Sequence, residues 1–192
     1  MPTIKVTDAT VLPISVAEAK AHLRVDHSTD DTLIEALIGA ARQDAEARLN
    51  RSIVPTTWKL LLDTFPCGQC IRLHWPTVTA VSHLKYYDRD GVQQIWDSSN
   101  YQLDGASEPA RLCLDPDVTS WPDTQTDKVN AVEIQYVAGW ADAAAVPAVI
   151  KAWLKLRVGT LYEHREEIAA GVSINEIPFV SNLLDGHKVW SL

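Results

Sequence analysis

The chain has 192 residues, 46% hydrophobic and 22% charged, which suits a folded globular protein with one substantial core. Its net charge of −8, with no basic cluster in the sequence, speaks against ordinary nucleic-acid binding, which works by neutralising phosphates. No run reaches the ~20 apolar residues that span a bilayer, and the first fifteen residues lack the apolar core of a secretory signal, so synthesis in a cytoplasm is expected.

Local signals divide the chain. Ser15 and Glu18 form an S-x-x-E capping box that opens a short helix through about Arg24. Ser28-Thr29-Asp30-Asp31 starts a second, longer helix. Its apolar stripe of Ile34, Leu37, Ile38, Ala41, Ala45 and Leu49 runs to Asn50, a suitable C-terminal cap.

Period two then replaces helical spacing. Trp58, Leu60 and Leu62 alternate with polar residues, as do Ile71, Leu73 and Trp75, and later Val132, Ile134 and Tyr136. Asp90-Gly91 marks a hairpin, and Pro109, Pro116 and Pro122 break the next stretch of chain into loops and short strands. The region from Trp58 to Trp140 carries eleven acids against six bases.

Helical spacing returns at Pro147, where Ile150, Trp153, Leu154, Leu161 and Ile168 make one apolar face. In this helix Lys151 and Lys155 come early and Glu163, Glu166 and Glu167 late, an order that opposes the helix dipole. Either an external partner stabilises these charges or the small cost is tolerated on a solvated face. Trp153, mid-stripe, reads as a core ring.

Segregated helices and strands give an α+β fold: helices from the N- and C-terminal parts packed together, with an inserted, mostly antiparallel β region. The expected divisions are 1–54 (N-terminal helical part), 55–140 (β-rich insertion of six or seven strands), 141–170 (long C-terminal helix) and 171–192 (extended tail). The tail carries Ile174, Ile177, Phe179, Val180, Leu183 and Leu184, then Trp190, with no clear element of its own. Apolar side chains on such a segment need a surface to bury against. The expected surface is another protein; the alternative is the chain's own core.

Catalytic and metal patterns find little support. Cys67-Gly-Gln-Cys70 lacks the second ligand pair of a zinc site and the helix of a redox motif, and three cysteines, an odd number, argue against a disulfide framework. Asp88-Arg89-Asp90-Gly91 places its glycine too early for a calcium loop. Asp104, Glu108, Asp115 and Asp117 sit among turn residues, and nothing in the sequence converges them for acid–base or nuclease chemistry. No catalytic residue, metal or cofactor is expected. The alternative function is a DNA-packaging accessory enzyme or nuclease using those carboxylates.

The order of these segments resembles the head–tail connector, or head-completion, proteins of tailed bacteriophages, in the branch with a β-rich insertion. The resemblance rests on Leu12-Pro13-Ile14-Ser15 with Glu18-Ala19-Lys20 and Leu23, on Asp30-Asp31 and the helix from Ile34 to Leu49, and on Ile53 and Trp58. It continues through Tyr101-Gln102-Leu103, Trp121-Pro122, Val132 to Trp140, Val146-Pro147, Leu161 to Glu166, Asn175 to Pro178, and Leu183-Leu184. It implies a structural virion protein of the neck, made in the host bacterial cytoplasm and without catalysis. Such a protein forms a ring of about twelve copies on the portal protein, closed by head-to-tail contacts. It extends the DNA channel without sequence-specific binding and offers a surface to a tail-side neck or tail-terminator protein. Under this resemblance, the tail residues Ile174, Ile177, Phe179, Val180, Leu183, Leu184 and Trp190 meet the portal or a neighbouring copy.

Overall fold

The local helix signals act as the sequence indicates. In a computed structural model, which describes residues 2–164, 180 and 182–190, helix α1 spans Val16–Leu23. Ser15 Oγ accepts from the Glu18 N–H at 3.1 Å, and the Glu18 carboxylate accepts from the Ser15 N–H at 2.9 Å, closing the capping box. Helix α2 spans Asp31–Leu49 and stops at Asn50, whose left-handed φ of 53° ends the helix. Helix α3 spans Ala148–Glu163. Glu166, Glu167 and Ile168, assigned to it from the sequence, lie outside the described residues.

The three helices bury one face each in a common core. Ile34, Ile38, Ala41, Ala45 and Leu49 of α2 meet Ile150, Trp153, Leu154 and Val158 of α3, with Ala19 of α1. Segments from opposite ends of the chain therefore share one apolar interior. Lys155 finds its partner within the chain, 3.6 Å from Glu18, so the reversed charge order of α3 requires no external acid at this position. Tyr162 at the end of α3 donates to the Asp30 carboxylate at 2.5 Å, holding α3 to the start of α2.

Between α2 and α3 lie seven of the eight described strands: β2 (Thr56–Leu62), β3 (Cys70–Leu73), β4 (Val78–Tyr87), β5 (Gln93–Trp96), β6 (Tyr101–Asp104), β7 (Ala110–Leu114) and β8 (Val132–Ala138). The eighth, β1 (Thr3–Thr7), precedes α1. It was not legible in the sequence, because Thr-Ile-Lys-Val-Thr is short and its partner is over fifty residues away. All pairings are antiparallel, in a five-stranded sheet ordered β1-β2-β8-β4-β5 and a three-stranded sheet ordered β3-β7-β6. The chain is thus α+β, with antiparallel sheets inserted between helices that pack together.

The apolar faces of the two sheets meet in a second core. Trp58, Leu60, Leu62, Leu84, Ile134 and Tyr136 come from the larger sheet, and Ile71, Leu73, Ala110 and Leu112 from the smaller. Phe65 stacks on Trp121 at 5.1 Å and lies near Trp96 and Tyr86, closing one end with aromatic rings. Tyr136 is fully buried and donates its hydroxyl to the His74 carbonyl at 2.7 Å. Burial drives its phenol well above the usual range.

The two cores are joined where β2 and β8 leave the helical part. Gly139 adopts φ of 118°, and a Cβ there would lie 2.3 Å from the Val54 carbonyl oxygen, so only glycine allows this approach. Glu46, buried on α2, accepts from the Ile53 N–H at 2.9 Å. Burial raises its carboxyl above the ordinary glutamate range, although this hydrogen bond and the Arg42 charge pull the other way. Arg51, also buried, reaches Glu108 at 2.5 Å and lies over the Trp140 ring.

The cysteines differ from expectation. Cys70 and Cys113 form a disulfide, and Cys67 is free and exposed. The reason is register: β3 and β7 place Cys70 directly opposite Cys113, a pairing that an odd count and the nearby Cys67 concealed.

Candidate interaction surfaces

The tail residues divide into three groups. Ile174, Ile177 and Phe179 lie outside the described residues. Val180 and Leu183 pack against the helical core, and Leu184 is buried in it at 3% exposure. The expectation that Leu184 faces a partner is corrected: the chain's own helices cover it. After a single turn of 3-10 helix at Asp185–His187, Val189 is buried and donates its N–H to the Leu49 carbonyl at 2.9 Å. The Asn50 side-chain amide donates to the Val189 carbonyl at 3.1 Å. These bonds satisfy polar groups at the C-terminal end of α2, where helical carbonyls are left over. They fasten the last described residues to the helical core and leave Trp190 projecting at 69% exposure, with Lys188 over its ring at 4.5 Å. An exposed indole on an anchored backbone has the form of a binding anchor.

Three of the four carboxylates considered for chemistry, Asp104, Glu108 and Asp115, are engaged in holding loops. Asp104 accepts from the Ser107 hydroxyl at 2.6 Å and from Arg111, which together hold its carboxyl down to about 2. Glu108 binds Arg51. Asp115 accepts from the Gln102 amide and from the Asp117 N–H. Asp88 staples the β4–β5 turn by accepting from the N–H groups of Asp90 and Val92, with Gly91 at φ of 77°. Among the described residues no three His, Cys, Asp or Glu side chains are grouped to hold a metal ion, and no helix is long and apolar enough to cross a membrane.

The outward face of the five-stranded sheet was not foreseen. Lys59 lies between Ile4 and Gln135, and Lys85 lies between Glu133 and Ile95, all on the side away from the β core. Glu133 receives Lys59 at 3.0 Å and His83 at 2.9 Å. Burial pushes the Glu133 carboxyl up, but these two bonds outweigh it and hold it below its usual range. No run of sequence carries this surface, because its lysines come from separate segments.

Residues 13–66, which hold α1, α2 and β2, match the family model described as phage gp6-like head-tail connector protein. The match ends inside the β region. The whole fold, by contrast, has solved counterparts. A chain from the virion of a native gene transfer agent particle superposes with a TM-score of 0.81 at 23% identity, covering 100% of this chain and 97% of that one. Chains from the neck of the empty particle, computed with C6 symmetry, and of the native particle, computed with C12 symmetry, give TM-scores of 0.79 and 0.78 at the same identity and coverage. No curated protein matches the chain significantly. These likenesses establish the fold over the full length, including the β insertion and its order relative to the helices.

Proposed function

We propose that this protein is a structural virion component of the neck, a head–tail connector that forms a ring on the portal, extends the DNA channel and presents a docking surface to the tail. The observation that carries the reading is full-length likeness to chains of gene transfer agent particles, two of them from necks, joined to a connector-family match over α1, α2 and β2. The role is architectural, not catalytic: the Asp104 and Asp115 carboxylates hold turns and Glu108 is in an ion pair. A ring of about twelve copies closes through one repeated head-to-tail contact. Its partners are the portal, neighbouring copies and a tail-side neck or terminator protein, with DNA passing through unread. Trp190, together with the segment containing Ile174, Ile177 and Phe179, is the proposed contact with the portal or a neighbour.

The test is binding to DNA-filled, tail-less particles, with copies per portal vertex counted by quantitative mass spectrometry. About a dozen copies is expected for a single ring. No binding to particles with an exposed portal would overturn the reading. Trp190→Ala should lower occupancy while leaving the melting temperature unchanged, since this ring is mostly in solvent.

A further inference from the structure

The outer face of the five-stranded sheet holds a groove of about 470 Å³ lined by Lys59, Lys85 and Lys128, with Glu133 as its one carboxylate; Lys5 at its edge pairs with Trp58 on the other face and places its ammonium over that ring at 5.6 Å. Three of the chain's eight lysines converge here. The three lysines and Glu133 carry a net +2, so the rest of a chain of net −8 carries −10. Lys59 is paired with Glu133, whereas Lys85 and Lys128 have no carboxylate partner among the described residues. Lys128 instead lies over the Tyr87 ring at 4.0 Å. The rim is apolar and solvent-facing: Ile4 is 49% exposed, Val6 47% and Val129 72%. A basic groove with a greasy rim suits an acidic protein surface better than a bare phosphate backbone, which offers nothing to those three side chains.

An acidic counterpart lies on the same chain, in the turns that follow β5 and β7. Asp97 caps the 3-10 turn Ser98–Asn100, and the Asp115 N–H donates to the Asn100 carbonyl at 3.0 Å. Asp97, Asp115 and Asp117 therefore form one corner beside the three-stranded sheet; the Asp97 and Asp115 carboxylates accept from backbone N–H groups and the Gln102 amide, and none of the three has a cation partner among the described residues. Hydrogen bonds from Ser99 hold the Asp97 carboxyl below its usual range, so it stays ionised. The corner is built from the turns after β5 and β7, and the groove from the outward face of the larger sheet.

We propose that the lysine groove is the docking surface for a second copy of this chain, receiving the Asp97, Asp115 and Asp117 corner of its neighbour in a head-to-tail contact. The proposal rests on the ring reading above and identifies the contact that propagates it. A heterologous contact between two different patches of identical subunits is the kind that closes a ring. Opposite charge at its two sides selects the register and suppresses self-pairing of like patches.

Charge reversal in the full-length chain tests it. Lys59→Glu/Lys85→Glu/Lys128→Glu makes both patches acidic, and Asp97→Lys/Asp115→Lys/Asp117→Lys makes both basic. Copies per vertex are counted for wild type, for each variant and for their equimolar mixture, with circular dichroism melting to confirm folding. Each variant alone should lose more than tenfold in occupancy, and the mixture should recover it, because alternating copies restore every contact. Carbodiimide, which joins only touching amines and carboxylates, should link Lys85 or Lys128 of one copy to Asp115 or Asp117 of an isotope-labelled neighbour in wild-type rings. Folded lysine variants that assemble like wild type would overturn the groove contact and leave the connector reading intact. Failure of wild type itself to bind would overturn the connector reading, and the proposal with it. Loss in both variants without recovery on mixing would assign the lysines to the portal or tail instead, overturning the pairing of copies.

Discussion

The helical part and the β part solve the same burial problem by different means. The helical core is mostly aliphatic, with Ile, Leu, Val and Ala around the buried Trp153, and with Trp140 and Tyr162 packed at its edge. It keeps its charged groups, Arg42, Glu46 and Arg51, at the junction with the sheets. The β core is built around Trp58, Phe65 and Tyr136, and its outward face is left to lysines. Helices announce themselves through neighbours three and four residues apart, whereas each sheet face is assembled from strands distant in sequence. The first region is therefore readable locally and the second only through register. This division leaves an apolar frame built from local helical signals, and a sheet face open to solvent.

The largest test of that division is whether the two cores fail together. Leu154→Ala in the helical core and Ile134→Ala in the β core should each cost about 2–5 kcal/mol. Because Gly139, Val54 and Glu46 lock the cores against each other, both substitutions should shift one shared urea transition. Two transitions, each moved by only one substitution, would show that the regions unfold independently.

A smaller effect separates them by pH. Glu46 has a folded-state affinity for its proton above the ordinary glutamate value. The folded state then binds more protons than the unfolded one, so stability falls as pH rises through that window. Glu46→Gln should remove this loss and keep the acceptor for the Ile53 N–H. Asp104 has the opposite sign. Hydrogen bonds from Ser107 and Arg111 hold it at about 2, so its contribution is present above the ordinary aspartate range and fades as pH falls toward 2. Asp104→Asn should flatten that acid limb. Equal slopes in the wild type and both variants, followed by chemical denaturation across pH, would contradict the assignments.

The smallest effect is at the helix start. Ser15→Ala removes one side of the capping box and should cost about 1 kcal/mol, read from the urea midpoint. A change below a few tenths would mean that the Glu18 bond to the Ser15 N–H suffices alone.

Residues within a few positions of one another were enough to define the three helices, the caps at Ser15 and Asn50, the strands β2, β3 and β8, and the Asp90-Gly91 turn. The order of those segments also carried the α+β class and the resemblance to connectors. Features that depend on distant partners came only with the folded chain. Folding placed β1 beside β2, set Cys70 against Cys113, gave Lys155 to Glu18 and brought Leu184 and Val189 back onto α2 and α3. It also gathered Lys59, Lys85 and Lys128 on one face of an acidic chain. Antiparallel register is fixed by which strands meet, and that choice is made across the whole chain.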